Sequence, residues 1–224
     1  MTPDVAGSAA VEVWADVLCP FAHWSMRRLR ELVSRIRGER WIEVRVRAWP
    51  LEWVNSSPWS ATHVEDEVRA LRVSCAPDDF REFDAANFPE SSIILLGAIA
   101  RANEVHPSLG EQVSYALRDA VFERGLPLGC MSELERVLAS LGLPLPDRAT
   151  AEALVRRDWD EGRRRGVDGS PHFFVGGRSW FCPMLRVRHD QGGYHVSADE
   201  EVGEEFRSLL LSLGTSAGVD GTPR

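Results

Sequence analysis

A cysteine followed directly by a proline is the first feature of this sequence that could do chemistry. An apolar, strand-like run from Val11 to Leu18 leads into Cys19, and Pro20 suits the first turn of a helix. This order predicts that the Cys19 sulfur lies at a helix N-terminus, where unpaired backbone N–H groups and the helix dipole favour an anion. We expect the thiol to ionise more easily than a free one and to act as a nucleophile. A small buried hydrophobic residue is the alternative interpretation.

Three residues after Cys19, where a dithiol redox motif would carry its second cysteine, the chain has Ala22. Without that partner Cys19 cannot close a local disulfide, but a single thiol can form a mixed disulfide or be oxidised to a sulfenic acid. Cys182 is a candidate resolving thiol, because a hairpin that leaves Pro171 and returns would bring residue 182 back toward the site. A free cysteine is the other interpretation, since a disulfide needs Cα atoms within about 7 Å.

Two ionisable side chains flank Cys19 in the sequence. His23 follows four residues later, so it could share a helix face with the thiol and act as an acid or base. It could equally be a surface or capping histidine. Asp16 precedes the site and is either a buried carboxylate that tunes the thiol or a polar residue at a strand end.

Aromatic residues are the next candidates for a binding site. Five tryptophans could form a pocket for a flat organic substrate, or could fix a helical segment to the sheet. They are Trp14, Trp24, Trp49, Trp53 and Trp59. For Trp14 we favour packing.

The elements that must position Cys19 are predicted to be a strand, a helix and a second strand. After Pro20, apolar residues recur at helical spacing as far as Gly38, which closes the helix. The run from Trp41 to Trp49 alternates apolar and charged residues, as a strand with one exposed face does. A crossover of this length predicts two parallel strands in one sheet.

A long helical segment follows a loop at Pro50–Ser60, which is rich in Trp, Pro and Ser. Glycines and prolines separate its helical patterns, and the segment has the size of a subdomain. The predicted helices are Thr62–Val73, Pro77–Ala86, Ser91–Val105, Leu109–Arg124, Ser132–Leu141 and Ala149–Arg165.

Strand patterns return after residue 166. Two β-hairpins are predicted, at residues 172–181 and 185–197, each around a Gly-Gly turn. Asp199 is predicted to cap an amphipathic helix that ends at Leu213. Residues 1–9 and the last ten or so residues are expected to be disordered.

Composition narrows the possible partners. The formal net charge of -8 at pH 7 argues against nucleic acid or an anionic membrane as partner. All 26 basic residues are arginines, which excludes Schiff-base chemistry on a lysine.

The first eight residues lack a basic region and a long apolar run, so we expect no signal peptide and a cytoplasmic protein. The four cysteines are far apart, so we expect reduced thiols and no metal site, with Cys75 and Cys130 as packing residues.

Three stretches carry a resemblance to a known clan. They are Val13–Phe21 continued by Arg27–Leu29, Val121–Gly125 continued through Leu134 to Leu143, and Gly166–Val175. Together and in this order they resemble the DsbA-like thioredoxin-fold clan, and within it the branch of FrnE-like oxidoreductases and 2-hydroxychromene-2-carboxylate isomerases, with Cys-Pro-Phe-Ala in place of Cys-x-x-Cys. The resemblance implies an α/β, thioredoxin-like fold with a large inserted helical domain. Its parts would be residues 10–60 and 166–214 for the thioredoxin-like unit, 61–165 for the insertion and 215–224 for a tail.

The resemblance also implies site residues. Pro171 is expected to be cis and to lie against Cys19, with the backbone of Ser170 pairing with a thiol-bearing substrate. His172 follows and could line the cleft, although a satisfied strand histidine is the alternative. The remaining expected contacts with substrate or thiol are Pro20, Phe21 and Ala22.

Three functions remain open. The first is a thiol oxidoreductase that acts through Cys19 alone. The second is an isomerase or transferase that uses glutathione or mycothiol as cosubstrate, resembling 2-hydroxychromene-2-carboxylate isomerases and kappa-class glutathione transferases. The third is a non-catalytic binding module. The expected partners are a small thiol or an organic substrate, and a homodimer is left open.

Overall fold

One four-stranded sheet forms the centre of the fold. The computed structural model describes residues 9–36 and 42–215. The strands lie in the order β2-β1-β3-β4, and they are β1 (Ala9–Ala15), β2 (Ile42–Ala48), β3 (His172–Val175) and β4 (Arg178–Phe181). Strand β1 is parallel to β2, which confirms the prediction from the strand–helix–strand order. Strand β3 is antiparallel to both β1 and β4.

Helices cover this sheet, and most of them lie between β2 and β3. They are α1 (Pro20–Ile36), α2 (Leu51–Val54), α3 (Ala61–Ser74), α4 (Ile93–Val105), α5 (Pro107–Phe122), α6 (Met131–Ala139), α7 (Arg148–Arg165) and α8 (Glu200–Thr215). A separate hairpin of β5 (Leu185–Asp190) and β6 (Gly193–Ala198) packs on α3. The mixed α/β class is confirmed, while the domain boundaries stay a prediction.

Buried tryptophans fix α7 to the sheet. Trp14 on β1 is fully buried, and its ring N–H donates to the carbonyl oxygen of Asp158 at 3.2 Å. Trp49 packs against Trp159 with ring centroids 4.2 Å apart. A Cβ at position 162 would lie 2.7 Å from the Trp14 ring, so only glycine allows α7 to approach this closely. Packing is therefore the role of Trp14.

The helix predicted at Pro77–Ala86 does not form. This stretch is a series of turns that ends in a 3-10 turn at Ala85–Asn87. Phe80 has a φ of 61°, which an α-helix does not contain. The N–H groups of Phe80 and Arg81 donate to the carboxylate of Glu123, at 3.1 and 3.5 Å. These donors are satisfied by a distant side chain, which periodicity within the stretch cannot reveal.

The other boundaries differ less. Strand β1 ends at Ala15 rather than Leu18, and the loop predicted at Pro50–Ser60 contains the short helix α2. Asp199 caps α8 as predicted, since its carboxylate accepts the N–H of Val202 at 3.2 Å. The predictions for Gly38, for Trp41 and for nearly all of the two chain ends lie outside the described residues.

Candidate functional site

Cys19 lies directly before the first residue of α1, against the loop that precedes β3. The N–H of Ala22 donates to the Cys19 sulfur at 3.4 Å, and the thiol donates to the carbonyl oxygen of Ser170 at 3.4 Å. The peptide bond between Ser170 and Pro171 is cis. The helix start and this loop therefore meet at the sulfur.

The thiol is not easily ionised in this state, and the prediction of an easily ionised Cys19 is wrong here. Cys19 is only 2% exposed, and burial raises its pKa to about 12, with the charges of Glu67 and Asp16 acting in the same direction. The hydrogen bonds with Ala22 and Ser170 oppose this shift. Desolvation disfavours the thiolate more than one helix N–H stabilises it. Cys19 is thus a neutral thiol at pH 7.

Asp16 fastens the loop before Cys19 to two helices. Its carboxylate accepts the N–H of Leu18 at 2.9 Å, the N–H of Leu51 at 2.7 Å and the hydroxyl of Ser92 at 3.0 Å. Its own N–H donates to the Ser170 hydroxyl oxygen at 2.9 Å. Burial raises the pKa of Asp16 against the effect of these bonds. Asp16 therefore links the loop before Cys19 to α2, to the start of α4 and to Ser170.

Arg118 on α5 is a buried cation beside the same loop, and sequence reasoning missed it. It is fully buried, and it donates to the carbonyl oxygen of Val17 at 3.4 Å and to the Ser114 hydroxyl at 3.2 Å. Burial lowers its pKa to about 10, while Cys19 and Asp16 act to raise it. A positive charge there stabilises negative charge on either neighbour. Helix α5 is buried nearly all round, so helical spacing gives no signal for this arginine.

A cleft of about 560 Å³ opens above the Cys19 sulfur, and we call it the Cys19 cleft. Its apolar lining consists of Phe21, Leu51, Val54, Pro58, Trp59 and Phe181. Its polar lining consists of Glu52, Asn55, Ser57, Ser60, His63, Glu67, Asp168 and Ser170, with Cys19 and Gly169 completing it. Of the five tryptophans considered above, Trp59 lines this cleft.

Glu67 is the least expected member of the lining. It is 8% exposed, and its Oε2 makes no hydrogen bond within the described part of the chain. Burial raises its pKa to about 7, against the effect of a hydrogen bond with the Tyr194 hydroxyl. The Glu67 Oε1 lies 3.7 Å from the His63 ring nitrogen Nε2, to which the Tyr194 hydroxyl is hydrogen-bonded. The signal in the sequence is its spacing, because Glu67 falls between Val64, Val68 and Leu71 on the apolar face of α3.

Some of the residues predicted to contact substrate line the cleft, and others are buried and do not line it. Phe21 and Ser170 line it beside Cys19. Pro20 and Ala22 are buried in the first turn of α1, where Ala22 offers its N–H to the sulfur.

The ring of His23 makes its contacts with residues other than Cys19. His23 is not a surface or capping residue either. It is 1% exposed, its Nε2 lies 2.8 Å from Glu123 Oε1, and its ring packs on Phe80 and Phe122. Burial lowers the pKa of His23 even though Glu123 opposes the shift. We read it as a neutral core histidine that donates to a carboxylate.

His172 is a strand histidine behind the cleft. It is 2% exposed, its Nδ1 accepts the N–H of Asp168 at 3.0 Å, and its ring stacks on Phe174 at 4.9 Å. Burial lowers its pKa, so the ring is neutral at pH 7. It does not line the Cys19 cleft among the described residues.

Cys182 is hydrogen-bonded to the backbone of the cis-proline loop. Its N–H donates to the Pro171 carbonyl oxygen at 2.8 Å, and it has a φ of 45°. Both sulfurs are free thiols. Burial raises the pKa of Cys182 to about 12, and the charge of an ionised Cys19 would raise it further. The two thiols are thus within electrostatic reach.

These features define a thioredoxin-fold protein with a cysteine before the first turn of a helix, next to a cis-proline. The chain belongs to the family of DSBA-like thioredoxin domains, which it matches over residues 10–186. No curated protein matches the chain.

Solved structures of similar fold include oxidoreductases and an isomerase. A probable DsbA oxidoreductase from Streptomyces coelicolor superposes with a TM-score of 0.62 at 14% identity, covering 96% of this chain and 94% of its own. The cytosolic disulfide reductase DsbM from Pseudomonas aeruginosa with GSH gives 0.57 at 19% identity, covering 91% and 98%. A 2-hydroxychromene-2-carboxylate isomerase gives 0.52 at 18% identity, covering 77% and 88%. At these identities the likeness establishes the fold alone.

Neither a metal site nor a membrane-spanning helix is present among the described residues. No group of three or more His, Cys, Asp or Glu side chains there could hold a metal ion. No helix in the same part of the chain is both long and apolar enough to cross a bilayer.

Proposed function

We propose that this protein is a thiol–disulfide oxidoreductase that acts through Cys19 as its single nucleophile. The observation that carries the proposal is the position of the sulfur. It lies at the start of α1 and at the base of an open cleft, and it is hydrogen-bonded to the Ala22 N–H and to the Ser170 carbonyl oxygen before Pro171.

The chemistry requires one thiol and one disulfide partner. Cys19 loses its proton to solvent, and its sulfur attacks one sulfur of a disulfide R–S–S–R. The S–S bond breaks, R–S⁻ leaves with the electron pair, and Cys19 carries –S–S–R. The Ala22 N–H stabilises the thiolate, and the Ser170 carbonyl is free to accept a backbone N–H of the partner. A solution thiol R′–SH, acting as its thiolate on the R sulfur, then forms R–S–S–R′ and returns Cys19 as a thiol. Attack by Cys182 on the Cys19 sulfur instead forms a Cys19–Cys182 disulfide and releases R–SH.

An isomerase or transferase that uses glutathione or mycothiol is the second candidate. The aromatic lining of the cleft favours it, since Phe21, Trp59 and Phe181 offer flat apolar surface beside the sulfur. In that case a bound thiol would raise the thermal midpoint, because a ligand specific for the native state stabilises it.

Peptide mapping by mass spectrometry tests the first proposal. In a Cys75→Ser/Cys130→Ser background, incubation with 2-hydroxyethyl disulfide should place the adduct on Cys19. Cys19→Ser should lower adduct formation in the folded protein by about a hundredfold or more, because the nucleophile is gone.

Cys182→Ser is the matched control for this experiment. If Cys182 resolves the adduct, the background protein will accumulate a Cys19–Cys182 disulfide and the Cys182→Ser variant will retain the mixed disulfide. A folded protein in which Cys19 stays unmodified would overturn the proposal.

A further inference from the structure

The charges around the Cys19 cleft are of one sign. Glu52, Glu67 and Asp168 line it, and no arginine does so among the described residues. Arg118, whose charge reaches Cys19, is fully buried beneath the loop and does not line the cleft. A cleft with walls of one charge sign focuses that field on whatever enters.

Glu67 marks the cleft as built for a polar or cationic group. Glu67 is 8% exposed and lines the cavity, where the Tyr194 hydroxyl is hydrogen-bonded to its carboxylate, and its Oε2 makes no hydrogen bond within the described chain. Burial of an ionised carboxylate costs free energy, which a cation or a hydrogen-bond donor of a ligand beside Glu67 would reduce. A carboxylate from a ligand would increase the cost.

We propose that the Cys19 cleft selects uncharged or cationic thiols and disulfides as partners of Cys19 and disfavours anionic ones. This inference rests on the proposed function and names its substrate class. Of the two small thiols considered above, it favours mycothiol, whose sugar and inositol groups offer hydroxyl donors and no carboxylate. Glutathione would bring two carboxylates against Glu52, Glu67 and Asp168.

The polar lining fits a ligand rich in hydroxyl groups. Besides the three carboxylates it contains Asn55, Ser57 and Ser60, all able to accept hydrogen bonds, next to the ring of Trp59. The bond that forms is the Cys19 mixed disulfide described above, with the partner disulfide as oxidant and its second sulfur as the leaving thiolate.

Three small disulfides of similar size test the charge dependence: cystamine (cationic), 2-hydroxyethyl disulfide (neutral) and 3,3′-dithiodipropionate (anionic). Their rate constants for adduct formation at Cys19 are measured at pH 8 in the Cys75→Ser/Cys130→Ser protein. Each rate is divided by that for a free peptide carrying the Cys19 sequence. We expect cystamine to exceed dithiodipropionate by roughly tenfold or more at low salt, and the ratio to shrink in 0.5 M salt. Mycothiol disulfide should likewise exceed oxidised glutathione.

Substitutions locate the effect. Glu52→Gln, Glu67→Gln and Asp168→Asn should each reduce the cystamine-to-dithiodipropionate ratio several-fold, whereas Glu65→Gln, on the exposed face of α3, should not. A ratio cancels any general change in Cys19 reactivity. Equal normalised rates, or a preference for the anion, would overturn this inference while leaving the oxidoreductase proposal intact. Absence of reaction with all three probes would instead contradict the proposed function.

Discussion

Two buried carboxylates lie near Cys19, one on each side, and they differ in how they are held. Asp16, beneath the sulfur, accepts three hydrogen bonds from the protein. Glu67, across the cleft on α3, has an oxygen without a partner in the described chain. Burial raises the pKa of both groups. The same functional group, a buried carboxylate, thus serves two purposes, since Asp16 holds segments together and Glu67 lines the cleft.

The difference follows from which part of the chain supplies each group. Asp16 belongs to the loop after β1, so its partners at Leu51 and Ser92 are fixed by the fold itself. Glu67 belongs to a helix between β2 and β3, and it meets the site only because α3 packs across the cleft. The loop after β1 therefore supplies the reactive atom, and the chain between β2 and β3 supplies the carboxylates that line the cleft, Glu52, Glu67 and Asp168.

Removal of the Asp16 carboxylate should have the largest effect on stability. Asp16→Ala leaves the N–H groups of Leu18 and Leu51 and the Ser92 hydroxyl without their acceptor. The free energy of unfolding should fall by about 2–4 kcal/mol, because unsatisfied buried donors carry a desolvation penalty. Urea denaturation measures this. Asp160→Ala, at an exposed position on α7, should change it by less than about 0.5 kcal/mol, and an equally small effect of Asp16→Ala would contradict the role assigned to it.

The residues that surround the Cys19 sulfur at the start of α1 could be predicted from the sequence, and Glu67 could not. The strand, Cys-Pro and helix order identified Cys19, and the resemblance identified Ser170 and Pro171, because these features are local in the chain. Glu67 shares the apolar face of its helix, which spacing can show, but which surface that face meets depends on tertiary packing. The His23 prediction fails for the same reason, since its partner Glu123 lies a hundred residues away.

The ionisation of Cys19 shows a second limit of sequence reasoning. A helix N-terminus does favour the thiolate, and the Ala22 N–H does reach the sulfur. Burial and two neighbouring carboxylates act against it, and burial is a property of the complete fold.

Replacement of the Glu67 charge should change how stability depends on pH. The folded-state pKa of Glu67 is raised from 4.5 to about 7, so folding favours its protonated form. The stability that folding gains from protonated Glu67 is fully present below pH 4.5 and is lost as the pH rises through 7. Glu67→Gln, which carries no charge, should equal the wild type near pH 4.5 and exceed its unfolding free energy at pH 8 by roughly 1–3 kcal/mol. Urea denaturation at several pH values measures this, and Glu65→Gln should follow the wild type throughout. A constant difference between Glu67→Gln and the wild type across this range would show that folding does not raise the pKa of Glu67.

The smallest expected effect is on the reactivity of Cys19 itself. Measuring it in variants of Glu67 and Asp16 compares the influence of the two carboxylates on the thiol. The charge of Glu67 raises the pKa of Cys19 more than that of Asp16 does. Glu67→Gln should therefore lower this pKa by more than Asp16→Asn does. A fall of one unit gives ten times more thiolate at pH 8, but each thiolate becomes less nucleophilic, so the alkylation rate should rise roughly threefold. Iodoacetamide is suitable because it is uncharged and insensitive to the field that selects among disulfides. If Asp16→Asn, although folded, accelerates alkylation more than Glu67→Gln, the carboxylate beneath the sulfur controls the thiol and the assignment of roles must be reversed.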